Sequence, residues 1–272
     1  MRTLKKPTYS MAEIIEECTS NMREGSEKYL QAVPIITDYS DTFDNEMDNS
    51  NAWSLTSHDK VTSALNKDDM IDLYKYKFAK ADQPGRKYYD QIKLSPVNGI
   101  CPLCGMGDAS TLDHYMAKSL FPTLAVTPIN LIPACRDCNT IRGTQFFSSE
   151  SDMTLHPYYD DLQETEWLAA RIISLNPICI EYYVCDDFQD QPMRNRLEKH
   201  LEIFELDHRF AKKAAEEISI IKHYLSDLLD VGGIEALRDY FKLQYRILSK
   251  YEKNSWKSAL YKALIEVDQH ML

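Results

Sequence analysis

Two Cys-x-x-Cys pairs, Cys101/Cys104 and Cys135/Cys138, stand 30 residues apart in a chain of 272. A thiolate pair two residues apart makes a tight knuckle, and two knuckles complete a tetrahedral four-sulfur shell of the kind zinc takes. A shell with four protein ligands leaves no position for water, so the sequence predicts a structural zinc whose binding energy is folding energy. A redox dithiol would need one pair; two pairs favour metal. The other cysteines, Cys18, Cys179 and Cys185, stand alone and read as small buried apolar residues.

A zinc ribbon needs only its cysteines, yet polar residues with chemistry lie inside and just beyond the clamp. They are Asp113 and His114 in Leu112-Asp-His-Tyr115, Asn130 in Pro128-Ile-Asn-Leu131, and Asn139 directly after Cys138. Leu112 to Met116 reads as a short strand, and a helix is expected from about Asp137. The result is strand, loop and helix, pinned by metal at both ends. Neighbours on an ideal strand point to opposite faces. Asp113 and His114 can therefore serve one site only if the strand ends or twists there. Lys118 and Arg142 are candidates for holding a phosphate.

The rest of the chain divides into two further regions. Residues 1–95 read as helical, with a capping box at Ser10 and Glu13 and a second helix from near Asp68 to Pro84-Gly85. Between them, residues 38–48 hold five acids and no base, and read as a solvated loop. Residues 96–160 form the cysteine-rich module. Residues 161–272 begin with a strand pair around Asn176-Pro177 and continue as helices, one closed by Gly232-Gly233 and the last spanning Ser255 to Met271 with Asn254 as its N-cap. The histidines at 58, 200, 208, 223 and 270 read as surface residues. No apolar run reaches the length of a membrane span, and the N-terminus lacks the apolar core of a signal peptide, so a cytoplasmic location is expected.

The central string resembles the HNH endonuclease motif in its zinc-bearing form. That resemblance implies an α+β fold: a zinc-stabilised ββα-metal HNH core embedded in a mostly α-helical chain. It implies a phosphodiester hydrolase in which Asp113 and Asn139 hold Mg2+ or Mn2+, His114 is the general base and Asn130 ties the loop down. His156, in a His-Pro-Tyr run that similar proteins also carry downstream of the motif, becomes a further metal-ligand or phosphate-contact candidate. These roles agree with the chemistry, because a neutral imidazole can take a proton from water at pH 7 and a divalent cation offsets charge on the phosphoryl oxygens.

The longer run from Leu112 to Pro122, continuing from Leu124 to Pro133, is similar to the nuclease subunit (PtuB) of Septu and retron-associated antiphage defence. That subunit works beside an ABC-type ATPase (PtuA-like). The net charge of −11 fits such an arrangement, since gripping nucleic acid, DNA by preference, over a whole surface requires Lys and Arg. Two other readings are a non-catalytic zinc-ribbon scaffold and a stand-alone restriction-type nuclease. The four motif residues argue against the first. The acidic charge and the absence of a basic recognition helix argue against the second.

Overall fold

The computed structural model describes residues 2–267 and divides the chain into two units, Arg2–Asp160 and Asp161 onward. It mixes helices with two small antiparallel sheets, an α+β architecture. Among the described residues no helix is long and apolar enough to cross a membrane.

In the first unit, helix α1 (Met11–Thr19) begins at a capping box, in which Ser10 Oγ accepts from the Glu13 amide and Glu13 accepts from the Ser10 amide. Helix α2 spans Glu27–Asp48. The acidic stretch expected to be a loop is the second half of this helix. Ile36, Ser40, Phe43 and Met47 recur at helical spacing and are buried. The acids point away, and Asp44 and Asp48 both accept from Lys6. Helix α3 (Lys67–Leu73) has Asn66 as its cap and runs on into one turn of π-helix, Tyr74–Phe78. Helix α4 covers Arg86–Lys93.

Strand β1 (Thr111–His114) pairs antiparallel with β2 (Leu131–Ala134), with Asp113 opposite Ile132 and His114 opposite Leu131. Helix α5 (Arg136–Arg142) follows β2 directly and packs on β1. The chain order is therefore strand, strand, helix. Leu112, Ala125, Val126 and Leu131 share one apolar core with Ile14, Ile15, Ala32, Ile36, Leu73 and Phe78. The boundary expected between residues 95 and 96 is thus not a boundary between compact bodies. The helical region and the cysteine-rich module bury their apolar faces against each other, which neither could do alone.

In the second unit, β3 (Leu168–Leu175) and β4 (Ile178–Val184) form a hairpin around Asn176-Pro177. Helix α6 is Gln191–Ile203, α7 is Leu206–Tyr251 and α8 is Trp256–Ile265. Gly233 breaks α7, with φ 68° and ψ −169°. The rings of Tyr224 and Tyr240 then meet at 5.1 Å. Sixteen residues of straight helix would hold them about 24 Å apart, so the two limbs fold back on each other.

Ser255, not Asn254, caps α8. Asn254 is instead a buried clasp: its carbonyl accepts from the Trp167 and Leu168 amides, and its amide donates to the Leu162 and Thr165 carbonyls. His200 also departs from expectation, because it is fully buried against Phe204 in the last turn of α6. Cys18 is buried as expected, whereas Cys179 is exposed. The predicted end of the last helix at Met271, and His270, lie outside the described residues.

Candidate metal centre and active site

The sulfurs of Cys101, Cys104, Cys135 and Cys138 lie within 4.8 Å of one another, and all four residues are buried. Cys104 Sγ and Cys135 Sγ are 3.9 Å apart. Four sulfurs at about 2.3 Å from a zinc ion would be separated by about 3.8 Å, so the cluster could hold that ion. The backbone supports this reading. The Gly107 amide points at Cys104 Sγ (3.5 Å) and the Cys138 amide at Cys135 Sγ (3.4 Å), as expected around thiolates. A Cβ on Gly107 would sit 2.9 Å from Cys135 Cβ and 3.1 Å from its sulfur, so only glycine fits beside the cluster. Four sulfurs this close cannot all be anionic without a cation among them.

Cys135 is also the N-cap of α5. The cluster therefore fixes both where β2 ends and how α5 is aimed. Thr111 and Asp113 share one face of β1, and Asn139 and Arg142 share the facing side of α5. Asn139 donates its amide to Thr111 Oγ1 at 3.4 Å, leaving its carbonyl oxygen as the donor atom for a ligand. One step along, Arg142 donates to Asp113 Oδ2 at 3.1 Å. Asp113 and Asn139 thus stand on the packed faces of β1 and α5, with Asp113 almost fully buried between them.

β1 ends at His114, whose ring turns the other way. Nε2–H donates to the Ala125 carbonyl at 2.8 Å, because a carbonyl can only accept. The proton is thereby held on Nε2 and Nδ1 is left as the basic nitrogen. The ring edge packs on Tyr74 at 4.4 Å between centroids. Burial first, then the nearby Lys118 cation, push the His114 pKa down to about 3, so the imidazole is neutral. Burial outweighs Arg142 at Asp113 and holds its carboxyl above the ordinary range. Lys118 lies with its ammonium 5.2 Å from the Tyr74 ring centre. Burial lowers its pKa, while Asp113 works against that shift and Lys75 adds to it.

Asn130 ties the intervening loop. Its carbonyl accepts from the Met116 amide at 2.7 Å, and its amide donates to the Met116 and Leu124 carbonyls at 3.0 and 3.1 Å. The Tyr115 amide also donates to the Asn130 main-chain carbonyl. This side chain, with the main-chain turns at 121–127, holds the loop that carries Ala125, and with it the His114 tautomer.

The structure brings Asp113, Lys118 and Arg142 within electrostatic reach of one another, while His114 faces the other side of β1 and Asn139 meets Thr111 rather than Asp113. Arg142, expected as a phosphate contact, is almost fully buried. It bridges Asp113 and the Tyr115 carbonyl and lies over the Tyr115 and Phe147 rings, which makes it a post inside the fold. His156 is fully buried among the rings of Tyr115, Tyr158 and Tyr159, with Nδ1 accepting from the Tyr158 amide. Tyr74, which the sequence offers only as a buried residue of the second helix, touches the site, and the Ala125 carbonyl and Gly107 escaped the sequence reading. Of these only Gly107, two residues after Gly105 in Cys-Gly-Met-Gly, left a mark that spacing could have revealed.

No family model matches the chain, and no solved structure matches it. Among curated proteins, it is 28% identical over 219 residues to protein ea31 of Escherichia phage lambda, an alignment covering 75% of this chain and 74% of that protein.

Proposed function

We propose that the chain is a metal-dependent endonuclease that hydrolyses nucleic-acid phosphodiester bonds by the HNH scheme, with the four-cysteine cluster holding a structural zinc. The observation that carries this reading is the strand–strand–helix unit clamped at the cysteines. Within it His114, with its tautomer set by the Ala125 carbonyl, sits beside Asp113 at the end of β1.

In this account His114 Nδ1 takes the proton from the attacking water; with its pKa held near 3 by burial it is a weak base, so the step relies on a bound cation making that water more acidic. Asn130 keeps the loop, and so the ring, in place. Asp113 and Asn139 would hold a Mg2+ or Mn2+ ion. Two protein oxygens suit a hard cation that keeps most of its water and takes the rest of its shell from a phosphate. Bound there, the cation supplies charge neutralisation at the phosphoryl group. Lys118 places its amino group beside the same groups.

The approach to the site also suits nucleic acid. Residues 74–80, Tyr-Lys-Tyr-Lys-Phe-Ala-Lys, carry three lysines and no acid in a chain of net charge −11. Tyr74 touches His114, while the next residues, Lys75 and Tyr76, are exposed. π-Helical turns recur at functional sites, and exposed aromatics among cations stack bases. The acidic remainder fits a chain that relies on a partner for capture. We carry the ABC-type ATPase partner and the antiphage role as parts of this proposal.

The second reading, a zinc-stabilised scaffold without catalysis, draws on the burial of Asp113 and His114 and on the Asp113–Arg142 ion pair. Incubating the zinc-loaded protein with single- and double-stranded DNA and RNA, with Mg2+, Mn2+ or EDTA, separates the two. The nuclease reading expects cation-dependent cleavage that His114→Ala abolishes while zinc content and helicity stay unchanged. Cleavage by the variant at the parent's rate removes His114 as the base. No cleavage by the parent under any condition, with its ATPase partner supplied, favours the scaffold.

A further inference from the structure

The two limbs of α7 form a hairpin whose outer half has no core of its own. Every residue from 219 to 236 is at least partly exposed, although Ile218 and Leu237 on either side are buried. The exposed apolar side chains are ordered. Ile220, Tyr224 and Val231 fall within about 40° on the first limb, and Leu243, Ile247 and Tyr251 follow one another at i, i+4 and i+8 on the second. Val231, at the tip, is 90% exposed. Each limb thus carries its own ordered apolar stripe, the first also touching the second where Tyr224 meets Tyr240, and ordered exposure of this kind marks a contact surface rather than scattered exposure.

Charge identifies the occupant. The tip carries Asp227, Asp230, Glu235 and Asp239 against the single base Arg238. The foot of the second limb carries Lys242, Arg246 and Lys250 with no acid, whereas the first limb is mixed, with Asp207, Glu216 and Glu217 beside Arg209, Lys212, Lys213 and Lys222, so the basic end rests on the second limb. One hairpin is therefore acidic at one end and basic at the other. A second hairpin laid against it tip to foot meets opposite charge at both ends, whereas tip to tip it would meet like charge. Such a contact is self-complementary, as a two-fold dimer requires, and four antiparallel helices would share an apolar seam.

We propose that this hairpin docks a second copy of the chain, limb against limb and tip to foot, as a four-helix interface. The proposal stands apart from the nuclease reading, since it uses no residue of that site.

Light scattering on the eluting zinc-loaded full chain, from low to high micromolar, tests it. The parent should pass from monomer to dimer with rising concentration and dissociate more readily in high salt. Ile220→Asp with Ile247→Asp should weaken the dimer by at least about tenfold at unchanged helicity and zinc content. Reversing the foot (Lys242→Glu, Arg246→Glu) or the tip (Asp227→Lys, Asp230→Lys) should weaken each homodimer. A variant reversed at both ends (all four changes) should recover the dimer. A parent that stays monomeric throughout overturns the proposal, including the case in which the stripe instead captures a different protein. A dimer indifferent to both the apolar and the charge changes overturns it as well.

Discussion

The Asp113 carboxylate and the Arg142 guanidinium meet at 3.1 Å with both side chains almost fully removed from solvent, so the residue proposed to hold a cation already has a counter-charge. The pair joins the end of β1 to the last turn of α5. It keeps the carboxyl group oriented, and it works against the burial that raises the Asp113 pKa.

Removing one partner of such a pair leaves an uncompensated charge in the interior. Arg142→Met should cost about 3–5 kcal/mol in a urea melt. Adding Asp113→Asn to that variant should recover part of the loss, because the orphaned charge goes with it. If the double variant is as unstable as the sum of the two single ones, the pair is not coupled as described.

Gly107 gives a prediction for the metal centre alone. Its missing side chain leaves room for Cys135, so Gly107→Ala must push the two knuckles apart. We expect lower zinc occupancy by elemental analysis and lower thermal stability at the same chelator concentration. Zinc bound at the parent's stoichiometry and affinity would show that the cluster tolerates a methyl group and that the packing argument fails.

The buried imidazole makes stability depend on pH. The His114 pKa is near 3 in the folded chain against about 6.5 in an unfolded one, so between these values the unfolded chain binds the extra proton. The contribution of His114 is present in full above pH 6.5 and is lost as pH falls toward 3. In His114→Gln, stability should vary less with pH across that window than in the parent. Equal slopes would mean that His114 is not buried neutral.

Substrate binding can be separated from chemistry at the basic turn. Lys75→Ala with Tyr76→Ala should raise KM for cleavage about tenfold while kcat changes little, since neither side chain touches the reacting groups. Lys118→Ala should lower kcat as well, because that ammonium sits beside Asp113 and His114. A double Lys75/Tyr76 variant with an unchanged KM would remove residues 74–80 from the binding surface.

What could be read from the sequence was local. The cysteine spacing, the short strand through Asp113 and His114, the capping box at Ser10 and the hairpin at Asn176-Pro177 all follow from near-neighbour patterns. What escaped was set by packing between distant segments. The acidic run 38–48 is helical because Phe43 and Met47 have a core to enter, and composition hid that periodicity. Arg142 reads as a surface base until Asp113 is seen beneath it. Asn254 reads as a cap until the Trp167 and Leu168 amides are found waiting for its carbonyl. Tyr74 lies 40 residues from His114 in the chain, and no pattern links them.

The account rests on a single cation held between β1 and α5, and Mn2+ binding to the zinc-loaded protein, followed by electron paramagnetic resonance, tests that without any substrate. It predicts one weak Mn2+ site that Asp113→Asn and Asn139→Ala each abolish while the four-cysteine zinc stays in place. Mn2+ that fails to bind, or that binds equally well to both variants, would contradict it.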